Sequence, residues 1–224
     1  MCGRYALTSP PGVIAQRFNL LWVPEFSAHY NIAPSQMIPV VRDTGQGPEL
    51  TLLKWGLIPS WAKDPTIGAK LINARAETLA DKPAFRSAYR RRHCLIPADA
   101  FYEWKPLAGR KQPYCIRIAD QAPFAMAGLW EHWVNPPGEP VDTCTIITTD
   151  ANTLVGELHN RMPAILAPAD YAAWLDAGNA KAQELLKPFP SDRMTVYPVS
   201  LRVNSVKNDD AQCLAPLAAS QTDA

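Results

Sequence analysis

The sequence predicts an α+β fold: a largely antiparallel β-sheet curled toward a barrel, with short helices on its flanks. Strand-like runs outnumber helical ones, and they do not alternate regularly with helices long enough for parallel crossovers. Proline is frequent, 22 of 224 residues and about twice average usage, and is spread along the chain, which breaks it into short elements. With 47% hydrophobic residues, the chain can bury one substantial core. A single domain is expected over residues 1–213, followed by a small, polar, frayed tail over 214–224.

The elements follow in order. Ser9 and Pro10-Pro11 open a short helix that runs to about Asn19. MIPVVRD from Met37 and LTLLKWGLI from Leu50 read as strands joined by the turn-prone TGQGP. FRSAYRRR from Phe85 gives a helical turn or two. LIPADAFYEWK from Leu95, a turn at LAGRKQ, and PYCIRIA from Pro113 form a hairpin. FAMAGLWEHW from Phe124 and TCTIITTD from Thr143 are β-rich. TDANTLVGEL from Thr149 fits a capped helix, PAILAP from Pro163 a strand, DYAAWLDAG and AKAQELLK helices, and MTVYPVS from Met194 a last strand.

Composition narrows the function classes. Twenty-two basic and 21 acidic residues leave a net charge of +1, which argues against bulk polyanion binding but permits a local basic groove. Five scattered cysteines without a CxxC pair, and four histidines without HExxH spacing, point away from a disulfide framework and from a metal or other cofactor. No stretch approaches the ~20 apolar residues of a membrane span. A monomer in a reducing cytoplasm is expected.

Cys2 differs from the other cysteines by position. Removal of Met1, permitted by the small side chain that follows, leaves an α-amine and a thiol on adjacent carbons. Their ordinary pKa values, ~7.7–8 and ~8.5, give both a usable nucleophilic fraction near neutrality. The amine attacks an aldehyde to form an imine, and the thiol closes on the imine carbon to give a five-membered thiazolidine. Only an N-terminal cysteine can make that ring.

The chain opens MCGRY and continues with YNIAPSQ from Tyr30, KWGLIPSWAKD from Lys54, LINARAET from Leu71, CLIPADAFYEWK from Cys94, LHNRMP from Leu158 and VNSVKND from Val203. In this order the motifs resemble the SOS response-associated peptidase family, from Cys2 to about Asp209. The resemblance implies a DNA-damage protein that captures abasic sites in single-stranded DNA, trapping the ring-opened aldehyde as a thiazolidine crosslink, with lyase or autopeptidase activity as further possibilities. It also implies a site made of Cys2, Asn73, Glu103 and His159. HNRMP carries Met162 where relatives can hold a second basic residue, so one backbone contact is expected to be missing.

Each of these residues has a plainer reading beside it. Glu103, among aromatics on a strand, suits proton transfer if desolvated, or is an outward strand carboxylate. His159 is an acid/base for imine formation or β-elimination, or a surface hydrogen-bonding residue. The Asn73 amide orients the Cys2 amine or bonds the opened sugar, or ties down backbone. Arg4, Arg75 and Arg161 match phosphate oxygens, or pair with Glu77 or another acid. Trp61, in a polar loop, is the better candidate to stack on unpaired bases, while Trp55 suits stacking or a core position equally. The run Arg90-Arg91-Arg92 is a solvated face or widens a phosphate track. Two other functions compete: a cysteine-type peptidase whose own amine is the base, and a non-covalent reader of modified bases.

Overall fold

The computed structural model describes residues 2–107, 109–134 and 138–217. Its strands and α-helices, in chain order, are β1 (Tyr5–Leu7), α1 (Pro11–Phe18), β2 (His29–Ile32), β3 (Met37–Asp43), β4 (Pro48–Trp55), β5 (Asn73–Arg75), α2 (Pro83–Tyr89), β6 (His93–Ala98), β7 (Ala100–Leu107), β8 (Arg110–Ile118), β9 (Phe124–Val134), β10 (Pro140–Asp150), α3 (Thr153–Gly156), β11 (Arg161–Pro163), β12 (Ile165–Leu166), α4 (Tyr171–Leu175) and β13 (Met194–Pro198).

Strands β10, β4, β3, β6 and β9 are hydrogen-bonded in that order, and β9 pairs again with β10, which closes a barrel. Each pairing in the ring is antiparallel except β10 against β4. Strands β5 and β11 flank β10, and β12 extends β9. A second, wholly antiparallel sheet runs β13-β8-β7-β1-β2. The α+β class with a curled, barrel-like core is therefore as the sequence predicts.

Strand β10 explains why the barrel closes where it does. Its residues Thr143–Thr149 are buried without the alternation of a one-faced strand, and they are mostly β-branched, as a strand covered on both sides requires. Buried threonines still need partners: Thr143 Oγ1 accepts the Ile58 N–H at 2.9 Å. The exit from β4 depends on glycine. Gly56 has φ +129°, and a Cβ there would stand 2.7 Å from the Gly68 carbonyl oxygen, so only glycine lets these two segments cross.

Several elements differ from expectation for identifiable reasons. LIPADAFYEWK is not one strand. It breaks at Asp99, whose carboxylate accepts the Thr8 N–H at 2.5 Å, the Ser9 N–H at 2.7 Å and the Ser9 hydroxyl at 2.6 Å. β6 thus stays in the barrel while β7 joins the second sheet. Ser9, committed to Asp99, does not cap α1; Pro10 occupies the cap position and Asn19, left-handed at φ 53°, closes the helix. PAILAP divides at Ala164 between β11 on β10 and β12 on β9. The helix expected from Thr149 shrinks to α3, because β10 continues through Asp150 and Asn152 Oδ1 caps at the Val155 N–H, 2.9 Å. The helices expected over 170–178 and 180–187 reduce to α4 and a 3₁₀ turn at Ala182–Leu185.

The start of the expected tail is tied down rather than frayed. The Leu217 N–H donates to the Pro198 carbonyl at 2.9 Å, and the Tyr197 hydroxyl donates to the Leu214 carbonyl at 3.1 Å. Residues 218–224 of that tail lie outside the described residues. Among the described residues no helix is long and apolar enough to cross a membrane.

Candidate active site

The first residues are drawn into the second sheet by β1. Tyr5 pairs with Phe101 and Ala6 with Ala100, and the Tyr102 N–H donates to the Arg4 carbonyl at 3.0 Å. This ladder lays Cys2-Gly3-Arg4 alongside Tyr102-Glu103-Trp104. The Cys2 side chain is fully buried, with Sγ 3.9 Å from the Arg4 carbonyl. Burial pushes its thiol far up, and the nearby Glu103 carboxylate pushes it in the same direction. With Met1 still attached, Cys2 is therefore a protonated thiol, not a thiolate.

Glu103 is only 3% exposed. Burial holds its carboxyl above the usual carboxylate range, and His159, when protonated, pulls it back down. His159 reaches this position from the turn after α3: its N–H donates to the Val155 carbonyl at 3.0 Å. Its Nδ1 lies 3.0 Å from the Arg161 N–H and accepts that hydrogen bond, which leaves the proton of the neutral ring on Nε2. Glu103 and His159 line one cleft of about 590 Å³ together with Arg4, Trp104, Lys111 and Asn204.

Two motifs hold Arg4 in that cleft. Its guanidinium donates to Asn31 Oδ1 and the Val203 carbonyl, each at 2.7 Å, and lies 6.0 Å from the Trp104 ring. Asn31, in YNIAPSQ, donates from Nδ2 to the carbonyls of Val203, Ser205 and Asn208, all within VNSVKND or at its edge. Asp209 returns the contact by accepting the N–H groups of Tyr30 and Asn31 at 2.5 and 3.0 Å. These distant motifs thus form one scaffold whose product is the orientation of Arg4.

The other expected site residues divide. Asn73 opens β5 opposite Ile146 and does not line the cleft; its amide oxygen and nitrogen are both buried and have no hydrogen-bond partner among the described residues. An orphaned buried polar group costs about 1–3 kcal/mol. Arg75, at the end of β5, is exposed. Arg161 departs from the phosphate-binding expectation. Its fork donates to both Glu77 oxygens at 2.9 Å, to Asp150 Oδ1 at 2.6 Å and to the Thr148 carbonyl at 2.6 Å. That is the Glu77 pairing foreseen as its alternative, and the side chain is nearly buried.

Trp55 corrects the stacking expectation. It is fully buried, donates from Nε1 to the Ile72 carbonyl at 2.9 Å and meets the Tyr5 ring edge-on at 5.5 Å, so no external base can reach its face. Its work is positional, since it braces the residue before Asn73 and the residue after Arg4. Trp61, by contrast, is 59% exposed. Arg92 leaves the basic run to pair with Glu131 at 3.0 Å, whereas Arg90 and Arg91 stay exposed.

Sequence reasoning missed four residues. Trp104 and Asn204 sat inside quoted motifs without being singled out; Lys111, read as part of the turn LAGRKQ but found in β8 opposite Pro106, carried no signal. Tyr5 is a buried phenol whose hydroxyl has no partner among the described residues, pushed up first by burial and then by Cys144 and Cys2. Its place in the MCGRY opening, three residues from Cys2, was the available clue.

Comparison with known proteins agrees with this arrangement. The profile of the SOS response associated peptidase (SRAP) family matches residues 1–206. The abasic site processing protein YoqW of Bacillus subtilis is 46% identical over 221 residues, covering 96% of this chain and 99% of its own. The abasic site processing protein HMCES of Gallus gallus is 34% identical, covering 88% of this chain and 69% of its own. A crystal structure of a Bacteroides thetaiotaomicron protein superposes with a TM-score of 0.88 at 27% identity, covering 97% of this chain and all of that one. With its motifs in order from MCGRY to VNSVKND and the family profile spanning nearly its whole length, this chain belongs to the SOS response associated peptidase family.

Proposed function

We propose that this protein processes abasic sites in DNA, and that it does so by capturing them covalently through Cys2 once Met1 has been removed. One observation carries the reading: the second residue of the chain, a cysteine, is packed beside a buried carboxyl that shares an open cleft with a histidine and an arginine. Relatives named as abasic site processing proteins supply the substrate class.

The chemistry follows from these groups. Removing Met1 creates an α-ammonium next to the Cys2 thiol and Glu103, and a positive charge there lowers both of their pKa values from their raised state. The amine loses a proton and attacks the aldehyde carbon of the ring-opened deoxyribose. The carbinolamine expels its hydroxyl as water, with the proton delivered by Glu103, whose raised carboxyl suits a general acid. The thiol then adds to the imine carbon, forming the C–S bond, and its proton ends on the ring nitrogen. His159, with its proton on Nε2, is suited to hydrogen-bond the sugar oxygen during ring opening and to take part in any β-elimination. Arg4 and the exposed Arg75 suit the flanking phosphates, and the orphaned Asn73 amide suits a sugar hydroxyl.

The test is denaturing electrophoresis of the protein with a single-stranded oligonucleotide carrying one abasic site, followed by mass measurement. A heat-stable adduct that has lost one water is expected. It should vanish in Cys2→Ala and when an unprocessable residue precedes Cys2, although reversible DNA binding persists in both. Equal adduct from Cys2→Ala would overturn the mechanism. Sustained turnover of unrelated peptides would instead favour a peptidase, a reading that the protonated, buried thiol does not support.

A further inference from the structure

Where two short helices meet the barrel lies a histidine that the cleft does not use. His93 opens β6 and is buried. Its ring stacks on the Trp174 indole, with centroids 4.0 Å apart and planes 9° from parallel. That indole donates from Nε1 to the Cys94 carbonyl at 2.9 Å. Both ring nitrogens face backbone carbonyls. Nδ1 lies 2.7 Å from the Trp174 oxygen, in the last turn of α4, and Nε2 lies 2.7 Å from the Tyr89 oxygen, at the end of α2. Carbonyls in the last turn of a helix lack an intrahelical donor, so the ring sits where both of them need one.

A carbonyl oxygen only accepts, so each contact is a hydrogen bond only if the nitrogen carries a proton. A neutral imidazole has one N–H and the imidazolium has two. In the neutral ring, one lone pair would face a carbonyl oxygen at 2.7 Å, and the two would repel. We infer that His93 is a proton-operated joint between α2 and α4, bonded to both helices as an imidazolium and to one of them as a neutral imidazole. The two-contact arrangement is that of the charged ring. Loss of the proton turns one contact repulsive and lets that helix end move off.

The groups around the ring set the pH at which this happens. Asp176, which follows the last residue of α4, supports the imidazolium through its charge. Other polar groups nearby are committed elsewhere. On the α2 side the Tyr89 hydroxyl donates to Gln183 Oε1 at 2.8 Å, Arg92 pairs with Glu131 of β9 at 3.0 Å, and Arg90 and Arg91 are exposed. On β9 the register partner of His93 is the apolar Leu129, and on β3 Arg42, opposite Cys94, donates to Asp142 at 2.7 Å. Tyr171 of α4 stacks on Phe18 at 5.1 Å. Burial pulls the ring's pKa below its ordinary value, while the two carbonyls and Asp176 hold it up. The second proton therefore arrives in mild acid, below the ordinary ~6.5, and the ring is neutral at about pH 8.

The experiment is a magnetic-resonance titration of the full-length protein with nitrogen-labelled histidine and carbonyl-labelled tyrosine and tryptophan. At about pH 5 one histidine should show two ring N–H signals protected from solvent exchange, and at about pH 8 only one. The Tyr89 or the Trp174 carbonyl should shift over the same interval. Asp176→Asn should move the ring's titration to lower pH, a change that a purely structural role for His93 would not produce. Melting adds an independent reading. Because the folded ring takes up its proton less readily than the unfolded one, stability is lost as pH falls through the ordinary histidine value. The parent's melting temperature should therefore fall relative to that of His93→Gln, which cannot titrate there, between about pH 8 and pH 5. Two protected ring N–H signals at pH 8 would overturn the inference, as would a single one at pH 5, two unmoved carbonyls or an unmoved titration in Asp176→Asn. These readings on the parent and on Asp176→Asn hold even if His93→Gln fails to fold.

Discussion

Glu103 and Cys2 are both driven toward their uncharged forms by the core that positions them, so the groups proposed to react sit in an environment that opposes their ionisation. This has a measurable consequence for stability. Because the folded carboxyl titrates above its unfolded value, Glu103 is harmless below the ordinary carboxylate pKa of ~4.3 and destabilises the native state as pH rises through the folded value. Glu103→Gln should therefore melt higher than the parent at pH 8, with the gap closing below about pH 4, and should form adduct more slowly. Thermal melts across that range check it; a variant that melts lower at pH 8 would mean the carboxylate is stabilised by partners stronger than its burial. The Asn73 amide atoms, buried and without a partner among the described residues, add a cost of the same kind.

Short segments, rather than long ones, carry the site. β5, β11 and the turn after α3 meet at β10, where Thr148 is the register partner of both Arg75 and Pro163. The two arginines on these segments have opposite fates because the Glu77 and Asp150 carboxylates pair closely with the Arg161 fork, whereas Arg75 is exposed and meets Glu77 only through its charge. Arg161→Met should lower the melting temperature, because the fork that joins β11 to Glu77 and Asp150 is lost. Its DNA-binding salt slope should stay unchanged. Arg75→Ala should do the reverse, leaving the melt alone and flattening the slope by about 0.7 unit. Calorimetry and salt titration of both variants separate these outcomes, and a flattened slope in Arg161→Met would return that residue to the phosphate track. The Glu77 carboxyl, held below its usual range by the Arg161 fork, adds stability at neutral pH that fades as acid protonates it.

The barrel and the second sheet divide the labour. The barrel supplies rigidity; β1 and β7 of the second sheet hold Cys2 and Glu103, and β10 of the barrel aligns the segments bearing Asn73, Arg75 and Arg161. Closing the barrel beside β4 requires the crossing of Gly56 and Gly68, each 2.7 Å from the other's carbonyl oxygen once a Cβ is added. Gly68→Ala should cost about 1–3 kcal/mol. Unfolding should move down by ~2–4 °C per kcal/mol. An unshifted melt would show that the 3₁₀ helix at Pro65–Lys70 can move aside without loss.

How much of this was legible in the sequence follows from which forces are local. Helix α1 begins at Pro11 and ends at Asn19 because proline's fixed φ and asparagine's tolerance of left-handed backbone act within one or two residues. The β7–β8 hairpin and the strands β3 and β4 follow from period and turn chemistry in the same way. The capacity of Cys2 for thiazolidine chemistry is likewise a property of its place in the chain, and the motif order carried the family. Partner choice was not legible. Arg161 meets Glu77 across 84 residues, and Trp55 reaches Ile72 across 17. The break at Asp99 depends on the hydroxyl of Ser9, 90 residues earlier. An arginine fork or an indole has the same local signature whether it faces a phosphate, a carboxylate or the core. Burial and long-range pairing distinguish those cases, and both arise only when the chain closes on itself.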